Sequence, residues 1–289
     1  MFRKFSVMFM ALMFVAVAYG KSFASSDYMI YVVLDKSKQM ALISPDTKTI
    51  VGYNQLPVLG THGVTIAPDM KYLYINAMPP ADIVEYDIAK KGVSKWFPIK
   101  ETTKNCGIRV APDGRHVISS SQNKKVIVLD RISGKYKVIK TPDESHQFTF
   151  APDGKAWVAG GKGGKIWIID WKKGKMVDSF KVGKVPHGIA FSPDKSKVLV
   201  SLRGENRIAI YDAKPPHKEV GSIPIKVSKG GLCNIALMPD NKSYWVAETF
   251  GRTLWQIDAE NHDVIHHIEV DGEPHHALPV KMDGSQQGF

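Results

Sequence analysis

Cysteine is scarce in this chain, and several familiar catalytic signatures are missing from it. Of the 289 residues only two are cysteines, Cys106 and Cys233. Neither belongs to a Cys-x-x-Cys-His motif, which excludes a covalently attached c-type haem. No Gly-x-Gly-x-x-Gly opens a helix, no phosphate loop is present, and no Gly-x-Ser-x-Gly elbow occurs. These absences argue against dinucleotide, nucleoside triphosphate and serine hydrolase chemistry.

Long apolar runs are absent beyond the amino terminus. Residues 1–24 combine the basic Arg3 and Lys4 with a 12-residue apolar run, 7–18, and a small-x-small site at 22–24, with 18–20 as a rival cleavage site. This pattern is typical of a secretory signal peptide, and the run is short for a bilayer span. An uncleaved membrane anchor is the alternative. We predict a signal peptide at 1–24, one domain at 25–289 in the periplasm or secreted, and no transmembrane segment after cleavage.

Acidic residues are outnumbered by basic ones, 28 against 39, and the net charge is +11. Removal of residues 1–24 takes away three basic residues and no acid, which leaves +8. No basic run is interleaved with aromatic residues, which argues against nucleic acid binding. The excess of lysines in predicted turns indicates a protein partner instead, acidic or redox-active, attracted by electrostatic steering.

One short pattern recurs along the chain: an apolar strand, a Pro-Asp turn and a second strand. Its aspartates are Asp69, Asp113, Asp153, Asp194 and Asp240, with a degenerate sixth copy ending at Asp283. The spacings of 44, 40, 41, 46 and 43 residues are those of propeller blades. Proline presets φ for such a turn, and the aspartate side chain can accept a hydrogen bond from the backbone two residues on.

The two ends of the chain complement each other. The first strands, predicted at 29–34, 39–43 and 49–53, lack a preceding Pro-Asp strand, and the last one, 277–281, lacks successors. Pairing of these ends makes one blade and closes the ring without exposed edges. The predicted fold is therefore all-β: a six-bladed β-propeller of four-stranded blades, closed by its amino- and carboxyl-terminal strands. Strand tryptophans, such as Trp157 and Trp167, are expected to pack between blades.

The residue seven positions before each repeat aspartate is always histidine or cysteine. The six residues are His62, Cys106, His146, His187, Cys233 and His276. This position begins the innermost strand, so we expect a ring of these side chains at one mouth of the central channel. The loops after the second strands should bring outer groups to the same mouth: Asp35, Arg203, Glu248 and Arg252. Of these, Arg203 and Glu248 are the predicted cofactor-binding residues.

Imidazole and thiolate are ligands that suit transition metals, copper first and zinc or iron as alternatives. In an exported protein two cysteines normally pair, but opposite sides of a six-membered ring are too far apart for a disulfide. We therefore expect Cys106 and Cys233 to remain thiols. A metal would be held by one His-Cys-His group from three neighbouring blades, or by a cluster shared between both halves. At any single position, a histidine that bonds a loop or a cysteine that fills the core is the competing explanation.

The stretch Pro-His-Gly-Ile-Ala-Phe-Ser-Pro-Asp at 186–194, followed by Ile-Ala-Ile-Tyr-Asp at 208–212, resembles the YVTN-type β-propeller repeat family. Its relatives include the propellers of amine dehydrogenase subunits and of cytochrome d1, many with seven or eight blades. Some relatives place cofactor or metal contacts at the inner-strand histidine, which implies such a role for His62, His146, His187 and His276. Nitrous oxide reductase, which holds copper with histidines at a propeller mouth, is similar in architecture only.

Two functional hypotheses follow from the sequence. The first is an exported propeller that binds a transition metal, or a metal-containing cofactor, at its channel mouth for redox chemistry or cofactor delivery. The second is a non-catalytic interaction platform, or a subunit of an exported dehydrogenase or electron-transfer complex.

Overall fold

The computed structural model describes residues 26–58, 62–78 and 81–281, and these form six four-stranded antiparallel sheets. The predicted signal peptide at 1–24 lies outside the described residues. Blade 1 contains β24 (Glu273–Lys281), β1 (Tyr28–Asp35), β2 (Gln39–Ser44) and β3 (Thr49–Gln55). Blade 2 contains β4 (Val64–Ile66), β5 (Tyr72–Asn76), β6 (Ile83–Asp87) and β7 (Gly92–Phe97). Blade 3 contains β8 (Asn105–Val110), β9 (His116–Ser121), β10 (Lys125–Asp130) and β11 (Tyr136–Lys140).

The second half of the ring repeats the same order from the inner strand outwards. Blade 4 contains β12 (Phe148–Phe150), β13 (Ala156–Ala159), β14 (Lys165–Asp170) and β15 (Lys175–Lys181), with a short 3₁₀ turn at Gly161–Gly163. Blade 5 contains β16 (Pro186–Phe191), β17 (Lys197–Leu202), β18 (Arg207–Asp212) and β19 (Glu219–Pro224). Blade 6 contains β20 (Leu232–Leu237), β21 (Ser243–Glu248), β22 (Thr253–Asp258) and β23 (Val264–Glu269). The predicted all-β, six-bladed propeller is confirmed.

The Pro-Asp turns form as their chemistry predicts. In each of the five clear copies the aspartate Oδ1 accepts a hydrogen bond from the N–H two residues on, at 3.0–3.1 Å. The residue after each aspartate has a positive φ, and it is glycine in two copies, Gly114 and Gly154. Met70, Lys195 and Asn241 adopt the same conformation in the other three. The turn therefore tolerates a side chain where the repeat elsewhere uses glycine.

The chain ends close the ring as expected. Strand β24 pairs antiparallel with β1, in a register that sets Val280 opposite Met29 and Ala277 opposite Val32. Six apolar clusters then fill the six seams between neighbouring blades. Trp157, Trp167 and Trp245 are buried in three of these seams, which confirms the predicted packing role.

Within the described ranges, no helix has both the length and the apolar character that a bilayer crossing needs.

Candidate metal centre

A β-bulge at the start of the inner strand creates the position that a ring residue occupies. In blade 5, Pro186 pairs with Leu202 and Ile189 pairs with Val200, so His187 and Gly188 together face only Ser201. Strands β8 and β20 show the same shift after Asn105 and after Leu232. A bulge of this kind re-aims a side chain out of the sheet. It turns Cys106, His187 and Cys233 toward the channel.

In blade 1 the ring position belongs to His275. Pro274 pairs with Leu34 and His276 pairs with Val33, so His275 is the extra residue at the bulge. Counting back from Asp283 placed His276 in the ring, but the degenerate sixth copy contains one residue more than the others. The dipeptide Pro274-His275 is the true counterpart of Pro186-His187, and that match was the signal in the sequence that could have identified His275.

Three ring residues converge into one compact group, the inner trio, which consists of Cys106, His187 and His275. One ligand atom from each lies within 4.8 Å of the other two, and all three side chains are buried. They come from blades 3, 5 and 1. The group is therefore assembled from alternate blades. This arrangement corresponds to the predicted cluster shared between both halves and not to a His-Cys-His group from three neighbouring blades.

The other three ring residues, His62, His146 and Cys233, form a flanking trio, and each of them contacts one or two members of the inner trio. The ring centroids of His62 and His275 are 4.5 Å apart. His146 Nδ1 lies 3.6 Å from Cys106 Sγ, and Cys233 Sγ lies 4.0 Å from His187 Nε2. Both cysteines are free, as predicted. The six positions thus make two interleaved sets of three.

Each flanking residue is also approached by an oxygen from outside the ring. Asp35 Oδ1 lies 3.1 Å from His62 Nδ1, and Glu144 Oε2 lies 3.6 Å from His146 Nε2. Thr249 Oγ1 lies 2.9 Å from Cys233 Sγ and donates its own hydrogen to the carbonyl of Pro274. Because a hydroxyl has one hydrogen, the Cys233 thiol is the donor in the first contact. Glu144 and Thr249 carry no motif that would have predicted these contacts.

The backbone carbonyls of the ring are held by groups from adjoining blades. Ser201 Oγ donates to the Cys233 carbonyl at 2.7 Å and accepts the N–H of Gly188 at 2.7 Å. Asn76 Nδ2 donates to the Cys106 carbonyl at 3.1 Å. His275 Nδ1 lies 2.9 Å from the His62 carbonyl, so Nδ1 carries the hydrogen and Nε2 keeps its lone pair for a ligand. These bonds fix the orientation of the ring without using its ligand atoms.

Burial favours the neutral form of His146, His187 and His275 and the protonated form of both thiols. It lowers the pKa of His187 and His275 well below the usual histidine range and that of His146 to about 4. Burial, assisted by the nearby Cys233 sulfur, raises the pKa of Cys106 well above its usual value, while the charge of Arg203 acts in the opposite direction. Neutral imidazoles are competent ligands, and a metal that binds Cys106 must displace the thiol proton.

The donor set fits a transition metal. Two imidazoles and one sulfur are typical ligands for copper, zinc and iron. His187 Nδ1 is buried and, in the described part of the chain, has no hydrogen-bond partner. An orphaned buried nitrogen on a member of the inner trio calls for an explanation, and a bound cation supplies one.

His276, by contrast, takes the position that glycine occupies in blades 2, 3 and 5. Its Nδ1 accepts a hydrogen bond from the backbone N–H of Val64, 3.4 Å away, and so ties blade 1 to blade 2. Its side chain is buried, and burial lowers its pKa to about 3. The structure therefore places His276 in the seam behind the ring, outside the inner trio.

The two predicted cofactor-binding residues have different surroundings. Glu248 is fully buried, and its Oε1 accepts hydrogen bonds from the backbone N–H groups of Ser228, Lys229 and Gly230. Its Oε2 accepts a bond from Trp255 Nε1, so this carboxylate organises the loop before β20. Arg203 is half-buried at the ring end of β17, and its guanidinium lies 4.8 Å from the centre of the Phe250 ring.

The electrostatic influence of Arg203 extends over both trios. Burial has the largest effect on the pKa of five ring residues, and the positive charge of Arg203 lowers the pKa of each of them. The five are Cys106, Cys233, His146, His187 and His275. No carboxylate among the described residues forms an ion pair with it. A cation without an ion-pair partner thus faces the ring from blade 5.

Comparison with known proteins identifies the fold and nothing narrower. No family model and no curated protein matches the chain. Among solved structures, Kuenenia stuttgartiensis hydrazine synthase is similar over 89% of this chain and 91% of its own, with a TM-score of 0.67 and 13% identity. A protein of unknown function from Bacteroides caccae is similar over 89% of this chain and all of its own, with a TM-score of 0.70 and 15% identity. These likenesses support a β-propeller, and membership of the YVTN-type family remains a prediction.

Proposed function

We propose that this propeller is exported and binds one transition metal ion at its channel mouth through Cys106, His187 and His275. The observation that carries the proposal is the convergence of three buried ligand atoms within 4.8 Å of one another. The bonded Nδ1 of His275 and the orphaned Nδ1 of His187 add to it. The metal would serve redox chemistry or be held for delivery to a partner.

Copper is the metal that we favour, with zinc and iron as the alternatives. One thiolate and two imidazoles suit copper in either oxidation state. Sites with three protein ligands leave a coordination position for an outside molecule, whereas purely structural zinc sites are closed by four. The flanking His146 and Cys233 are near enough to tune the metal through contacts with its ligands.

The proposal is tested by metal content. The full-length chain, exported by a bacterial host in medium that contains copper, zinc and iron, would be purified and its metals measured by mass spectrometry. We expect about one metal ion per chain, and at least a 100-fold loss of affinity in Cys106→Ser. Cys233→Ser is the matched control, since it removes a flanking sulfur and should retain metal. A wild-type protein free of metal, or equal losses in both variants, would overturn the proposal.

The location and the partner have tests of their own. Export predicts that cell fractionation recovers the protein outside the cytoplasm with an amino terminus near residue 25. An acidic or redox partner, favoured by the charge of +8 that remains after cleavage, should be captured at low salt. It should be lost as ionic strength rises, because exposed charges are screened within about 10 Å at 0.1 M salt.

A further inference from the structure

Two loops at the ring end bring a cation and an aromatic ring together beside the candidate metal centre. Arg203 N donates to the Val185 carbonyl at 3.0 Å, two residues before His187. Phe250 N donates to the Gly230 carbonyl at 3.3 Å, three residues before Cys233. Both loops are therefore tied through their backbones to the segments that lead into the ring.

The pair has an unusual combination of properties. Phe250 is 48% exposed, although large aromatic side chains are usually buried. Arg203 lies 4.8 Å from its ring centre and is half-buried. Two acidic groups beside the ring are engaged with other residues: Asp35 contacts His62, and Glu144 contacts both His146 and Lys162. The positive charge of Arg203 is thus left to face the mouth of the channel.

We propose that Arg203 and Phe250 form the subsite for an anionic outside ligand that completes the coordination of the ring-bound metal. The inference rests on the proposed metal site. A guanidinium can donate two parallel hydrogen bonds to the two oxygens of a carboxylate. It is also weakly hydrated, so it can bind an anion at a half-buried position. The exposed face of Phe250 would pack against the apolar body of an organic anion. The proposed ligand is therefore a small organic carboxylate. An inorganic anion, which carries the same charge without an apolar body, is the alternative that the experiment must distinguish.

The experiment uses the full-length protein loaded with Co²⁺, whose visible spectrum responds to a change of ligands. Azide and benzoate are the two probes, because azide offers charge alone and benzoate adds an apolar ring. We expect both to alter the spectrum. Arg203→Met should weaken both by at least tenfold, and Arg203→Lys should recover part of the affinity. Phe250→Ala should weaken benzoate and leave azide within about twofold.

Arg115→Met is the control, since Arg115 is an exposed arginine in the Pro-Asp turn of blade 3, at the other end of the inner strand from the ring. Its anion affinities should equal those of the wild type. A protein that binds Co²⁺ but shows no anion-dependent spectrum, or responds equally in Arg203→Met and Arg115→Met, overturns this inference and leaves the metal site standing. A protein that binds no metal overturns both. Azide binding without benzoate binding would contradict the carboxylate assignment.

Discussion

Blades 5 and 1 present the same ring histidine to the channel with different residues behind it. In blade 5, His187 is followed by Gly188, and Ser201 bonds both the Gly188 N–H and the carbonyl of Cys233 in the next blade. In blade 1, His275 is followed by His276, and Val33 lies where blade 5 has Ser201. His276 Nδ1 then provides the link to the next blade by accepting the Val64 N–H. The ring histidine therefore occupies the same position in both blades, although different residues link each blade to the next one.

The sharpest test of this comparison separates the two adjacent histidines of blade 1. His275→Ala removes a proposed ligand, and we expect metal affinity to fall at least 100-fold, about 2.7 kcal/mol. His276→Ala removes only the seam contact and should keep the affinity within about threefold. Calorimetric metal titration of the two variants decides between them, and the reverse order of effects would restore the assignment made by counting along the chain.

The second test concerns the glycine of blade 5. A Cβ at Gly188 would overlap the Cys233 carbonyl oxygen and lie 2.9 Å from Ile235 N, both backbone atoms with little room to move. We expect Gly188→Ala to lower the free energy of unfolding by about 3 kcal/mol. Gly221→Ala in the same blade is the control, because its nearest atom is a side-chain carbon 3.5 Å away. Urea denaturation measures both, and an equal loss would show that the blade 5 seam is not tight.

The third test uses the histidine that blade 1 has at the glycine position. Burial lowers the pKa of His276 to about 3, below the ordinary value of about 6.5 in an unfolded chain. The unfolded chain therefore binds the extra proton more readily. The stabilising effect of the neutral side chain is complete above about pH 6.5 and is lost as the pH falls toward 3, at roughly 1.4 kcal/mol per pH unit. In metal-free protein, His276→Asn should reduce the stability loss between pH 6 and pH 4 by about 2 kcal/mol. Unchanged acid sensitivity would contradict this placement of His276.

The smallest expected effect is at the hydroxyl behind the blade 5 ring. Ser201→Ala removes two hydrogen bonds of 2.7 Å, to Gly188 N and to the Cys233 carbonyl. Buried partners left unsatisfied should reduce stability by about 1–2 kcal/mol. Ser222→Ala, at an exposed position of β19, should stay within about 0.5 kcal/mol. Thermal unfolding of the two variants is sufficient, and a neutral Ser201→Ala would mean that water replaces the hydroxyl.

The accuracy of the sequence predictions depended on how regular the repeat was. Where Pro-Asp was intact, the count of seven found Cys106 and His187, because an identical turn sets an identical distance to the start of the strand. In the sixth copy the turn is degenerate and one residue longer, so the same count reached His276. Only the pairing of β24 with β1 decided that His275 is the bulged residue. The sequence predicts Glu248 as a cofactor-binding residue, and only the structure shows that its Oε1 accepts hydrogen bonds from the loop at 228–230.

The sequence by itself determined the number of blades, the closure of the ring and the chemical nature of its mouth, because each depends on a pattern repeated along the chain. The tertiary structure decided which ring residues meet. That choice depends on how the bulges of blades 1, 3, 5 and 6 turn side chains toward one axis. Distances across an axis are set by neighbouring blades and not by separation along the chain. For this reason alternate blades supply the inner trio, and Arg203, which the sequence already placed at the mouth, meets Phe250 from a different blade.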